Sequence, residues 1–182
     1  MFSGFRNERG FTVSEMMIVV AAIATLSVIA VPVLQDVTAS IKLGQAARLV
    51  EREMQDARLK AVSSNRVIRV RLNCPAAGYI RSVEVLGTAD DDATDRCMAT
   101  RFPFPARDID IMTRPNFDGP VRPLPQGATV GNAVLQFSPD GTAAQVVNGV
   151  PTTIVAPVAV AITRDGKTKT VTVNNAGKIQ LQ

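Results

Sequence analysis

Residues 16–35 contain no charged side chain, and no other feature constrains the fold as strongly. At about 1.5 Å per helical residue, twenty positions reach roughly 30 Å, the thickness of a bilayer's hydrocarbon core. The run therefore predicts a membrane-spanning helix. Its flanks are wrong for an ordinary secretory signal, in which a small-residue cleavage site follows the apolar stretch. Here a polar leader, residues 1–10, precedes it, and the arginines at positions 6 and 9 predict a cytoplasmic amino-terminal end.

Composition narrows the chemistry. The 182-residue chain has no histidine, which removes the commonest general base and metal ligand, so the expectation is a non-enzyme that needs no cofactor. A net charge of +4 is too small to imply nucleic acid by itself. Cys74 and Cys97 are too far apart for a CxxC motif and too few for a structural zinc site. A disulfide between them and two buried free thiols both remain open. Asp90, Asp91, Asp92 and Asp95 lack the spacing of an EF-hand and read as a solvated loop.

Beyond Pro32, which removes a backbone donor and predicts a kink or local melting, apolar residues recur at three- and four-residue steps. Val37, Ile41, Leu43, Ala46, Ala47, Val50, Met54, Ala57 and Ala61 form this face, and Asp56 with Lys60 makes an i,i+4 pair. Asn65 is expected to end the helix. From position 66 the period falls to two: Ile68, Val70 and Leu72 alternate with Arg69, Arg71 and Asn73, the pattern of a half-buried strand. Residues 79–86 read as its partner. Ile109 and Ile111 suggest a short strand within a proline-rich tract. Later strands are expected at 134–137, 158–163, 168–173 and 178–181, separated by turns at Ser138-Pro139-Asp140-Gly141, Asn148-Gly149, Asp165-Gly166 and 174–177.

The string Arg9-Gly10-Phe11-Thr12-Val13-Ser14-Glu15-Met16-Met17-Ile18-Val19-Val20 resembles the class III signal of type IV pilins and type II secretion pseudopilins. With the strand-rich head, the 137–141 hairpin and a final strand after Gly177, the chain resembles the GspH/FimT branch of minor pilins and pseudopilins. The resemblance implies an α+β, pilin-like fold, a long N-terminal helix packed on an antiparallel β-rich head. It implies a leader (1–10), a transmembrane assembly segment (11–34), an amphipathic half-helix (35–64) and a periplasmic or extracellular head (65–182).

In that family a prepilin peptidase cuts after the glycine matching Gly10 and methylates the new amino terminus, here Phe11. The glutamate matching Glu15 pairs with the amino terminus of a neighbouring subunit, since an unpaired carboxylate in lipid is costly. Family members bend or unwind near Pro32 on assembly. The implied partners are other pilins, an inner-membrane assembly platform and membrane lipid before assembly. The implied role is to initiate or cap a pilus or secretion pseudopilus from the inner membrane. A second reading, DNA binding for natural transformation, rests on Arg164, Lys167, Lys169 and Lys178, which otherwise read as solvated hairpin charges.

Overall fold

A computed structural model describes residues 10–104 and 115–182. The expected strand around Ile109 and Ile111 lies outside the described residues. The chain forms two compact units, one ending at Thr38 and one comprising Ala39–Gln182.

Helix α1 runs Val13–Ser64, and its assignment is continuous through Pro32, so the proline does not melt it. Asn65 ends it in the left-handed region at φ 53°. The N–H of Arg66 reaches back to the carbonyl of Ala61 at 3.2 Å, the six-to-one bond of a Schellman cap. In the first unit the apolar run is wholly unburied within the protein.

The second unit is built on the later half of α1. Leu43, Ala46, Ala47, Val50, Met54, Ala57 and Ala61 are buried, and the alanines let strands approach the helix closely. Val37 and Ile41, which share the expected apolar periodicity, are instead 50% and 56% exposed. The expected Asp56 to Lys60 pair is also replaced: Asp56 bridges back to Arg52 at 3.7 Å, while Lys60 donates to the carbonyl of Phe117. A partly buried carbonyl needs a donor more than an exposed carboxylate needs a second cation.

Among the described residues ten strands follow, in two antiparallel sheets. The six-stranded sheet holds β1 (Ile68–Leu72), β2 (Tyr79–Glu84), β3 (Arg122–Pro123), β5 (Val134–Phe137), β6 (Ala143–Val147) and β7 (Val150–Thr153), in the order β3-β2-β1-β5-β6-β7. The four-stranded sheet holds β4 (Thr129–Val130), β8 (Val158–Arg164), β9 (Lys167–Val173) and β10 (Ile179–Leu181), in the order β10-β9-β8-β4. Val70, Ile80, Leu135 and Phe137 from the first sheet and Val160, Ile162, Val171 and Val173 from the second join the helix in one core. The two-residue strands β3 and β4 are too short to leave a periodic signal in sequence.

The outer face of β1 and β2 differs from expectation. Pairing of Arg71 with Arg81 and of Arg69 with Val83 places three arginines on one face. That face is covered rather than solvated: Arg69 is 5% exposed and Arg81 0%. The 85–104 excursion folds over it and supplies backbone carbonyls. Arg81 donates to the carbonyls of Gly119, Cys97 and Phe102 at 2.9, 3.0 and 2.6 Å, and Arg71 to that of Ala93 at 3.2 Å. Guanidinium groups suit this role because one planar fork satisfies several acceptors. Arg96, fully buried, grips Asp118 through two bonds of 2.5 and 2.8 Å and stacks 4.3 Å from the ring centre of Phe102. A disulfide joins Cys74 to Cys97 and ties the excursion to the end of β1.

Candidate functional site: the amino-terminal segment

Helix α1 begins where its first residues satisfy its own orphan donors. Thr12 is the N-cap and Glu15 the third helical residue, a Thr-x-x-Glu capping box. The Glu15 N–H points to the Thr12 hydroxyl at 3.3 Å. In return Glu15 Oε2 accepts from the Thr12 N–H at 2.9 Å and from its hydroxyl at 3.0 Å. The sequence reading singled out Glu15 and missed Thr12, although the spacing alone carried that signal. Glu15 also sits in the first turn, where the helix dipole favours an anion.

Gly10 and Phe11 precede the cap in an exposed stretch outside regular secondary structure, with Phe11 82% exposed. A Cβ built on Gly10 would meet nothing within 4 Å among the described residues. From Met16 onward the helix presents Met17, Ile18, Val20, Ile23 and Leu26, all more than half exposed. An apolar surface of this kind needs lipid or other helices around it.

The four candidate basic residues do not form one surface. Arg164 is 3.1 Å from Asp165 and also donates to the carbonyl of Gln126, so its guanidinium is occupied. Arg164 faces Lys167 across the β8–β9 hairpin. Lys178, by contrast, precedes Ile179, which pairs with Val173 at the other end of β9. Six residues of strand, about 20 Å, separate Lys178 from Lys167. Lys178 instead borders a groove of about 440 Å³ lined by Gln55, Arg58, Leu59, Val62, Gly177 and Ile179. Arg58 is fixed there by the carbonyls of Gly141 and Ala176.

Two family models match the chain. One, for the prokaryotic N-terminal methylation motif, covers residues 5–31, and the other, for the type II transport protein GspH, covers residues 46–177. Among solved structures, the type IV minor pilin FimU of Pseudomonas aeruginosa is similar at 19% identity and a TM-score of 0.48, covering 80% of this chain and 91% of that one. The minor pseudopilin EpsH of the type 2 secretion system of Vibrio cholerae is similar at 16% identity and 0.44, covering 79% and 95%. Comparison with curated protein sequences gives no match. The capped, unburied apolar helix with a methylation motif, continuous with a head that matches the GspH model over 46–177, makes this chain a member of the GspH family of pilin-like structural subunits.

Proposed function

We propose that this subunit initiates or caps a type IV pilus or a type II secretion pseudopilus. The observation that carries the reading is the placement of Glu15 at the capped start of an apolar helix that the protein itself does not bury. A prepilin peptidase cuts after Gly10 and methylates Phe11. Residues 11–34 then hold the subunit in the inner membrane, amino terminus cytoplasmic and head periplasmic, until an assembly platform lifts it into the filament. On entry, Glu15 exchanges its intrachain partner for the Phe11 amino group of a neighbouring subunit, which sets axial register. Pro32 supplies a weak point in the hydrogen-bond ladder where the helix bends as it leaves lipid. Residues 35–64 act as the spine on which the head, 65–182, is carried.

Gly10→Ala is expected to leave the leader attached, read by mass spectrometry of the amino terminus. Glu15→Ala is expected to be cleaved and methylated yet absent from the sheared filament fraction. Normal assembly of both variants sinks the proposal. Deleting the gene distinguishes the two machines, because a pseudopilus subunit is needed for protein release into the medium and a pilus subunit for surface fibres.

A further inference from the structure

Of the four sheet edges among the described residues, three are blunted. β3 contains Pro123 and β7 contains Pro151, so each lacks a donor on its open side, and β4 is two residues long. The fourth edge, β10, has neither proline nor glycine. Its pairing with β9 fixes which backbone groups stay open. Gln182 and Thr170 exchange both N–H to carbonyl bonds, at 2.8 and 3.1 Å, and the Asn174 N–H donates to the Lys178 carbonyl at 3.2 Å. Bonded and non-bonded pairs alternate along an antiparallel ladder. Ile179 opposite Val173 and Leu181 opposite Val171 are therefore the non-bonded pairs, and the N–H and C=O of Ile179 and Leu181 point away from β9. Such an edge is a template for one more strand, about 4.8 Å away.

Lys178 and Ile179, at the start of this edge, also line the groove beside α1. Its helical wall is one stripe of Gln55, Leu59 and Val62, with Leu59 68% and Val62 50% exposed. No acid lines it. Its charges are the exposed Lys178 and Arg58, whose guanidinium is held by two carbonyls that leave its charge unneutralised. Every one of these residues belongs to the second compact unit.

We propose that this groove takes an extended, acidic segment of a partner protein, which joins the four-stranded sheet as a fifth strand beside β10. The open N–H and C=O groups of Ile179 and Leu181 bond its backbone. Every second guest side chain falls on the face that Ile179 and Leu181 turn to the core, where Leu59 and Val62 receive apolar groups. A guest carboxylate answers Lys178 and Arg58. A guest helix fits less well, because its backbone is bonded to itself and leaves the open edge unmatched.

The test uses the full chain in phosphatidylcholine nanodiscs and two short fluorescent peptides that alternate valine with threonine, one flanked by glutamates and the other by lysines. Anisotropy is expected to show binding of the acidic peptide and none of the basic one. Lys178→Glu should weaken the acidic peptide about tenfold and admit the basic one. Leu59→Asn, at an exposed position, should weaken the acidic peptide about fivefold. Amide exchange at Ile179 and Leu181 is expected to slow about tenfold or more with the peptide bound, while Gln180, whose N–H faces β9, changes little. Binding that both variants leave intact puts the peptide elsewhere and overturns the groove. Binding without slower exchange at Ile179 and Leu181 overturns strand addition. No binding of either peptide at about millimolar concentration overturns the proposal outright. Slowing of the same amides on raising protein concentration alone gives the edge to a second copy of this chain and overturns the partner segment.

Discussion

Glu15 and Thr12 hold each other through both backbone and side chain: the Thr12 N–H donates to Glu15 Oε2 at 2.9 Å and the Thr12 hydroxyl at 3.0 Å. The carboxylate at the head of the apolar helix is thus already partnered within its own chain. In the proposed assembly an amino group from a neighbouring subunit would have to compete with these bonds, and it would do so by adding the attraction of a full positive charge to the carboxylate, which neither the Thr12 N–H nor its hydroxyl carries. Thr12→Ala removes the hydroxyl but leaves a backbone N–H, and should weaken the helix start by about 1 kcal/mol. Cleavage and assembly are both expected to persist, measured by amino-terminal mass and by recovery in sheared filaments. If Thr12→Ala were lost from filaments as completely as Glu15→Ala, Glu15 would be acting as a cap and not as an intersubunit partner.

The buried ion pair of Arg96 and Asp118 should dominate the stability of the covered sheet face. Arg96 is 0% exposed and Asp118 5%, and the aspartate also accepts the N–H of Glu84 at 2.8 Å. Removing one member leaves an uncompensated buried charge, so Asp118→Ala should cost about 3 to 5 kcal/mol in chemical denaturation. The exposed Arg52 to Asp56 pair makes the contrast, and Arg52→Ala should cost less than about 0.5 kcal/mol. Comparable losses would mean that the excursion is not anchored by its buried charges.

What was legible in the sequence is what local chemistry decides. Asn148-Gly149 and Asp165-Gly166 adopt positive φ at both positions, 50° and 81°, then 49° and 75°, as tight hairpins require. Val134–Phe137 is found where alternation and the Ser138 to Gly141 turn place it. What local pattern cannot carry is which segment returns to cover a face. Arg69 and Arg71 alternate with apolar residues like a solvated edge, and only the distant excursion turns Arg69 into a buried anchor and Arg71 into a half-buried one. Val37 and Ile41 keep the periodicity of the core yet remain exposed, because periodicity marks a face and not its partner.

The Cys74 to Cys97 bond closes a loop of 23 residues in sequence. On the chain-entropy estimate such a closure stabilises by about 3 kcal/mol. Replacing both cysteines by alanine should lower stability by about that amount. Hydrogen exchange should rise first across 85–104, since the carbonyls of Cys97 and Phe102 that cap Arg81 are the ones released. Uniform loss of protection across both sheets would contradict a local role.

Two glycines with similar φ should respond unequally to alanine. Gly166 and Gly177 have φ of 75° and 70°, so each substitution carries the left-handed penalty of about 1 to 2 kcal/mol. A Cβ on Gly166 meets nothing within 4 Å, whereas one on Gly177 collides with the carbonyl oxygen of Gly141 and the side chain of Arg58. Gly177→Ala should therefore be the more destabilising in thermal melts, and it should also loosen the Arg58 bonds to Gly141 and Ala176. Equal melting shifts would show that this turn yields without cost.

Falling and rising pH should stress different carboxylates. Hydrogen bonds from Arg101 hold Asp95 below its ordinary 3.8. Its contribution is fully present above 3.8 and is lost as pH falls from there through the lowered folded value, so Asp95→Asn should flatten the acid limb of the stability curve. Glu53 has the opposite sign: burial raises its carboxyl above the ordinary 4.5, more than Arg122 at 3.1 Å lowers it. The folded state then binds the proton more tightly than the unfolded chain, and stability falls as pH rises from 4.5 through the raised value. Glu53→Gln cannot ionise and should gain on the parent protein over that window. Denaturant midpoints measured from pH 3 to 7 read both effects, and a Glu53→Gln variant that instead lost ground with rising pH would place the Arg122 attraction above the cost of burial.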